Sequence, residues 1–389
     1  MRATGRTLRR GVGGEEVATF VPDPLPPQGP PLEVDLKRAK LLARAEQAVA
    51  RLEVAGEMVP SLDWFIYAFV RKEAVVSSQI EGTQATLVDL FEYEALQDHR
   101  QPLEDVREVC NYLDALKYAR AQLASSKGLP LSMRLLHAAH RRLMRGVRGA
   151  DKQPGEVRRS QNWIGGTRPG NAVFVPPPPE EVPALLGDLE KYFHAADSLP
   201  PLVRIGLAHV QFETIHPYLD GNGRIGRLLI TLLLQHWKVL SAPLLYLSLF
   251  FKRHRAEYYR LLGEVREHGD WEAWTDFFLE GVATIADEAV VAARDVFALV
   301  TADRRRLLAA TGASVVAARL LEQLPVHPVI TIPGIVKLLK ITKPTAGKAV
   351  QLLESVGVLV ETSGKARDRT FAYQAYLERL RTGTELEGR

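Results

Sequence analysis

The chain has 389 residues, 46% of them hydrophobic and 25% charged, with a net charge of +4 and a single cysteine. That length and balance describe a globular protein of about two or three domains with a sizeable core. Cys110 alone excludes an internal disulfide framework and a cysteine-ligated zinc and suits a reducing cytoplasm. No run of about 18 apolar residues predicts a membrane span, and so mild a charge does not by itself argue for nucleic acid.

In chain order, the first twenty residues are basic but lack an apolar core and a small-residue cleavage site, so they predict a mobile tail, not a signal peptide. The proline-rich stretch from Val21 to Asp35 predicts an extended wrap or linker. Apolar residues at helical spacing predict helices over Leu36–Met58 and Ser61–Ile80, with Trp64, Ala68, Val75 and Ser78 near one stripe of the second. Further helices are expected at Leu103–Ala124, Ser132–Met144, Glu180–Ala195, Pro201–Thr214, Gly223–Trp237, Lys252–His268 and Trp271–Thr301. Between them, Gln161–Pro179 carries short apolar runs around a Gly/Pro turn and predicts a small β-hairpin able to cover a pocket. The body is therefore mainly α, without βαβ alternation and without an internal repeat.

From about Gly312 the pattern changes to a short helix, a turn, a second helix and a hairpin. Pro344 lies in the first turn of the second helix, Ala346, Ala349, Val350, Leu353 and Val356 form its apolar stripe, and Gly357 stands where a left-handed C′ residue belongs. "SGKARDR" then supplies a basic tip. The order resembles a winged helix-turn-helix and leaves Lys343, Thr345, Lys348, Lys365, Arg367 and Arg369 available to the phosphates or bases of DNA. The alternative is a helical cap or dimerisation module with solvated lysines.

Chemistry concentrates in "HPYLDGNGRIGR", residues 216–227. It joins a helix with Leu202, Ile205, His209 and Phe212 on one stripe to a nearly solid apolar run that must be buried. Gly221 and Gly223 free the loop backbone to take positive φ and to approach a ligand, and exposed N–H groups feeding a helix N-terminus make an anion site. Arg224 and Arg227, three apart, can both reach a polyphosphate. Asp220 would repel that anion unless a Mg²⁺ bridged them, and His216 is placed to act as a general base on a hydroxyl.

This stretch resembles the motif of the Fic family, His-x-Phe-x-Asp/Glu-Gly-Asn-Gly-Arg-x-x-Arg, with Tyr218 in place of phenylalanine. "GEVRRSQNWIGG", "FVPPPPEEVPALLGDLEKYFH" and "LYLSLFFKRHRAEYYRLLGEVREHGDWEAWTDFFLEGV" look like the family's flap, the helix after it and its C-terminal extension, so the resemblance covers roughly residues 20 to 295. It implies transfer of AMP from ATP to a protein hydroxyl with release of pyrophosphate. By resemblance His216 deprotonates the target, Asp220 holds Mg²⁺, Asn222 and the N–H groups of Gly221 and Gly223 hold the α-phosphate, and Arg224 and Arg227 hold the β- and γ-phosphates. The flap at Trp163, Ile164 and Gly165 would align the target by strand addition. Tyr246, Tyr258 and Tyr259 are candidates for an adenine pocket or ordinary helix aromatics. A Doc-type kinase carries lysine where this chain has Gly223.

"SSQIEG", residues 77–82, resembles the family's inhibitory motif, Ser/Thr-x-x-x-Glu-Gly/Asn. By that resemblance Ser77 and Glu81 engage Arg227 and block the γ-phosphate contact. A carboxylate in the last turn of a helix needs a cation in any case, because the macrodipole disfavours it there.

Three parts are expected: 1–35, a tail and proline-rich segment; 36–300, a mainly α Fic catalytic domain with an inhibitory helix; and 301–389, a winged helix. The expected activity is that of an autoinhibited, cytoplasmic protein adenylyltransferase. Its partners would be ATP, a target protein and itself, with DNA as a further candidate, no membrane, and a homodimer left open. The alternatives are removal of AMP from modified proteins and a transcriptional regulator that only senses nucleotide.

Overall fold

The computed structural model describes residues 2–27, 29–33, 35–58, 61–96, 103–365 and 367–386. It begins with an antiparallel hairpin, β1 (Gly5–Val12) and β2 (Glu15–Pro22). Helices α1 (Leu36–Met58), α2 (Leu62–Ile80), α3 (Leu87–Leu96), α4 (Glu104–Ala124) and α5 (Met133–Leu143) follow. After a long loop with a 3-10 turn at Pro169–Asn171 come α6 (Val182–His194), α7 (Pro201–Ile215), α8 (Asn222–His236), α9 (Ser248–Arg253), α10 (Arg255–His268) and the 39-residue α11 (Trp271–Ala309). The last part runs α12 (Val315–Gln323), β3 (Val329–Thr331), α13 (Ile332–Leu339), α14 (Lys343–Ser355), β4 (Val360–Glu361), β5 (Thr370–Ala372) and α15 (Gln374–Arg381). The fold is mainly α, as the helical spacing predicts. Among the described residues no helix is long and apolar enough to cross a membrane.

The centre is the pair α7 and α8. Every residue of α7 from Leu202 to Ile215 is buried, and so is α8 from Arg224 to Leu234. A helix apolar or satisfied on all sides is a core helix, and each buried leucine of "RLLITLLL" contributes about 1.5–3 kcal/mol. Helices α2, α4 and α5 pack on α8, α6, α10 and α11 pack on α7, and α1 lies along α11. The loop between α7 and α8 is thus anchored at both ends in the most rigid part of the molecule.

Several expectations are corrected. The N-terminal tail is a hairpin, turned by Gly13 and Gly14 at φ 59° and 83°, with Val17, Thr19 and Val21 buried along one face of β2. A Gly-Gly pair between alternating runs is a hairpin signal that the basic composition masked. The segment 161–179 forms no paired strands: it makes one antiparallel bridge, Ile164 with Phe174. Gly165 and Gly166 take φ 68° and 71° and turn the chain away, and Pro176 to Pro179 have no N–H with which to extend a ladder. The helix expected at 252–268 is two, broken at His254, and the boundary expected at residue 300 falls inside α11, which continues to Ala309. Helices α3, α12 and α15 were not anticipated.

In the C-terminal part a three-stranded sheet has the order β3-β5-β4, with α13 and α14 consecutive before it closes. This part is held to the body. Tyr373 donates to Asp303 Oδ2 on α11 at 2.6 Å, and α15 packs on α2, α3 and α11. Beyond α15, Gln79 Nε2 on α2 donates to the Thr384 carbonyl at 2.9 Å. Lys252 Nζ donates to Gln79 Oε1 at 2.8 Å and to the Glu385 carbonyl at 2.6 Å.

Candidate active site

His216 ends α7 in the left-handed region at φ 49°, ψ 61°, and this reversal starts the loop. The loop is then pinned by its own side chains. Asn222 Oδ1 accepts from the Tyr218 N–H and Asn222 Nδ2 donates to the Tyr218 carbonyl, both at 2.8 Å, so its amide shapes the loop. The Tyr218 ring stacks on His140 at 3.8 Å between centroids, and its hydroxyl lies 2.9 Å from His137 Nδ1. His140 Nδ1 accepts from the Gly155 N–H at 2.8 Å, so Nε2 carries the proton donated to the Asp220 carbonyl at 2.9 Å. Gly221, at φ 78°, has no room for a side chain: a Cβ would stand 3.0 Å from Met144 Sδ. Arg158, buried beneath the flap, donates from Nε to the His216 carbonyl at 2.9 Å and from Nη2 to the Pro177 carbonyl at 2.6 Å, tying loop to flap.

The two motif arginines diverge. Arg224 Nη1 lies 3.1 Å from Glu108 Oε2 on α4, both side chains being almost fully buried, and Arg224 Nε has no hydrogen-bond partner among the described residues. Arg227 turns to α2. Its Nε donates to Ser77 Oγ at 2.9 Å, its Nη2 to the Ser77 carbonyl at 2.9 Å and to Glu81 Oε1 at 2.6 Å. Glu81 is the C-cap of α2, with Gly82 behind it at φ 97°. Burial works against the Glu81 charge, but Arg227 outweighs it and holds the carboxyl below the ordinary range. A Cβ on Gly223 would stand 2.2 Å from Glu81 Oε1, so the carboxylate lies against the first turn of α8, where an anion is favoured.

Burial, with help from the Arg158 and Arg266 charges, pushes the half-buried His216 imidazole down to about 3, so it is neutral near pH 7. Its Nδ1 is buried without a hydrogen-bond partner among the described residues, which leaves Nε2 for a reacting group. One turn earlier, Glu213 is buried and pushed up to about 7, Arg227 and Arg266 pulling it down and Glu81 pushing it up. Asp220 is 39% exposed, and its Oδ1 accepts from the Gly221 N–H at 2.6 Å. Among the described residues no group of three or more His, Cys, Asp or Glu could hold a metal. One exposed carboxylate beside an anion site does fit a Mg²⁺ whose remaining ligands are phosphate oxygens and water.

A cavity of about 820 Å³ lies between the β1–β2 hairpin, the flap at 169–175 and α10, and Tyr259 and Arg266 line it. Arg266 Nε donates to Thr214 Oγ1 at 3.3 Å and its guanidinium covers the Phe174 ring at 3.9 Å. Tyr259 is close enough to Glu81 and Arg227 to feel both charges. Tyr258 is buried, its hydroxyl on His209 Nε2 at 2.8 Å. Tyr246 is not brought to the loop: it is buried 5.0 Å from Phe69 with Lys72 over its ring. Trp163 on the flap is 39% exposed and Val173 82%. Lys343 and Lys348 project from α14, Thr345 bonds the N-cap hydroxyl of Thr342 at 2.8 Å, and Lys365, Arg367 and Arg369 are exposed beside β5. The sequence reading missed Glu108, Arg158 and Glu213; their only local signals are a charged residue in an apolar helix stripe, the first arginine of "VRRS" and a place one turn before His216.

Two family models match, Fic/DOC family N-terminal over residues 39–121 and Fic/DOC family over 130–234. The chain is 28% identical over 208 residues to Protein adenylyltransferase Fic of Drosophila grimshawi, covering 52% of this chain and 39% of that protein. It is 29% identical over 180 residues to the protein of the same name from Culex quinquefasciatus, covering 46% and 33%. It therefore spans well under half the length of these relatives. A Fic family protein from Desulfovibrio desulfuricans superposes with TM-score 0.57 at 22% identity, over 89% of this chain and 98% of that one. A Fic domain containing signaling protein from Bacteroides thetaiotaomicron gives 0.52 at 18%, over 64% and 95%. The structural likenesses speak for the fold, the two matched models cover the helices that build the site, and on these grounds the chain belongs to the Fic/DOC family.

Proposed function

We propose that the protein transfers AMP from ATP to a hydroxyl side chain of a target protein, or of itself, and is held inactive by Glu81. The observation that carries this reading is the Glu81 carboxylate itself, bound to Arg227 at 2.6 Å at the head of α8. An anion of the chain's own lies where the loop amides and the arginine would receive a phosphate. The buried Arg224 Nε, without a partner among the described residues, is a second donor awaiting an anion.

In the reaction, neutral His216 takes the acceptor proton on Nε2. The acceptor oxygen bonds the α-phosphorus, the bond from that phosphorus to the bridging oxygen breaks, and pyrophosphate leaves. The loop N–H groups, Arg224 and Arg227 bind the polyphosphate and stabilise its charge, and Arg158 keeps the His216 backbone in register with the flap. Asp220 would hold a Mg²⁺ that neutralises phosphate charge. Tyr259 and Arg266 border the cavity that takes the nucleoside end. Gly223, where the Doc-type kinase motif carries lysine, supports nucleotidyl over γ-phosphoryl transfer. His216→Ala should lower transfer by about 10² to 10⁴-fold while ATP affinity stays near that of the parent, because a base and not a phosphate contact is removed. Mass spectrometry for AMP adducts after incubation with ATP and Mg²⁺ reads this, and an unchanged rate rejects His216 as the base.

A second reading, removal of AMP, is favoured by the 31% exposure of the Glu81 side chain, which can orient a water at the same phosphorus. Loss of AMP from a modified protein without added ATP would favour it. For the C-terminal part we propose a winged helix-turn-helix on its element order and its β3-β5-β4 sheet, with exposed Lys343, Lys348 and Arg367 contacting DNA phosphates.

A further inference from the structure

The cavity bordered by Tyr259 and Arg266 has three walls. Two of them, the flap and α10, stand next to residues that fall in the catalytic reading. The third is the N-terminal hairpin, whose Thr7, Glu16 and Phe20 face the same space. The hairpin precedes both matched family regions, the first of which begins at residue 39. It is also fixed in place. The Phe20 N–H donates to the Val175 carbonyl at 3.1 Å, joining β2 to the end of the flap. The Glu15 carboxylate accepts from the Gly170 N–H at 2.7 Å and pairs with the Arg168 guanidinium. Arg10 pairs with Glu180 at 2.7 Å, and Thr4 Oγ1 donates to the Arg266 carbonyl at 3.0 Å.

We propose that the β1–β2 hairpin is the outer wall of the pocket for the base and ribose of the nucleotide, and so sets affinity and selectivity for that half of the substrate. This rests on the adenylyl-transfer reading. The occupant follows from the neighbourhood: Arg266, which lines the cavity, donates from Nε to Thr214 Oγ1 at 3.3 Å, two residues before His216. The volume, about 820 Å³, falls in the range that takes a small organic ligand. Its lining suits a nucleoside, with the apolar surfaces of Phe20, Phe174 and Val173 against a flat base and a few polar groups, Thr7 and Glu16 among them, at its edge. None of the residues proposed to hold the triphosphate belongs to the hairpin.

The test measures binding of ATP and of inorganic triphosphate to the full chain carrying Glu81→Gly, with and without a hairpin substitution. Glu15→Ala removes the Arg168 and Gly170 contacts and should weaken ATP by about threefold to tenfold while triphosphate stays within about twofold. Thr7→Trp keeps those contacts, fills the cavity and should weaken ATP more than about tenfold, again sparing triphosphate. Equal losses for ATP and triphosphate, or no loss of ATP with either variant, overturn the proposal. If the Glu81→Gly parent binds triphosphate but gains nothing from the nucleoside, the adenylyl reading itself falls; if it binds ATP better than triphosphate and the hairpin variants leave that difference intact, only the wall assignment falls.

Discussion

A methyl group on Gly223 would stand 2.2 Å from Glu81 Oε1 and 3.0 Å from an Arg227 nitrogen, so Glu81 and the head of α8 meet where no side chain fits. Glu81→Gly should therefore free Arg227 and raise self-modification with ATP well above the parent. It also strands a guanidinium that is 1% exposed, and since breaking one side of a buried pair costs about 3–5 kcal/mol and Glu81 is partly solvated, the low end of that range is expected. Melting without ATP should drop and recover when ATP is added. With Arg227→Ala in addition the gain should vanish, and that non-additivity, read by labelled ATP, is the decisive measurement. The departure from the family motif, Tyr218, gives a milder test. Its hydroxyl meets His137 Nδ1, so Tyr218→Phe should cost about 0.5–1.5 kcal/mol in a denaturant titration and leave transfer nearly intact. Residues 216–227, Ser77 and Glu81 were legible because their chemistry is packed into two short stretches. Glu108 and Arg158 were not, since each matters through a partner far along the chain, Arg224 at 116 residues and the His216 carbonyl at 58.

At the scale of elements, long helices were legible from spacing, and what failed was punctuation. Nothing in the composition of "FFKRHRAEYY" marks the break at His254, where α9 turns against α2 and α10 against α7. The segment before α1 shows the reverse: its arginines suggest solvent, yet Arg6 and Arg10 pair with Glu181 and Glu180, and the apolar face of β2 is buried. In the C-terminal part the expected order of elements is present, and its proposed DNA-binding face can be read by salt. The full chain should bind duplex DNA weakly, with affinity falling steeply between low and physiological salt, and Lys348→Ala and Arg367→Ala should each flatten that dependence. Absence of a mobility shift at low salt with any duplex would make this part a protein-contact module.

For the whole molecule, pH response follows chiefly from four buried groups. Burial holds His140 down to about 4 and His209 and His216 down to about 3, so each is neutral when folded and charged when unfolded below its ordinary value of 6.5. The unfolded chain then binds more protons, and stability is full above about 6.5 and lost on acidification toward 4. Glu213 opposes this: folded, it keeps its proton to about 7, while unfolded it loses it near 4.5, so over that window its contribution falls as pH rises. Burial pushes His137, His236 and His327 down as well, and Glu73 and Glu92 up, so the histidines outnumber the opposing carboxyls and the melting temperature should fall from pH 7 to pH 5. Glu213→Gln should steepen that fall by removing the opposing contribution, which a calorimetric pH series would show.

The hold on Gln79 by Thr384 adds a dimension of time. These two residues lie 305 positions apart, and Arg227 is made 157 residues before Thr384. At about 5–20 residues per second, a ribosome leaves about 8–30 s in which the catalytic loop and α2 both exist and the C-terminal contacts to α2 do not. Each newly made molecule therefore passes through an interval in which α2 is held by Arg227 and by the helices packed on it, but not yet by the C-terminal part.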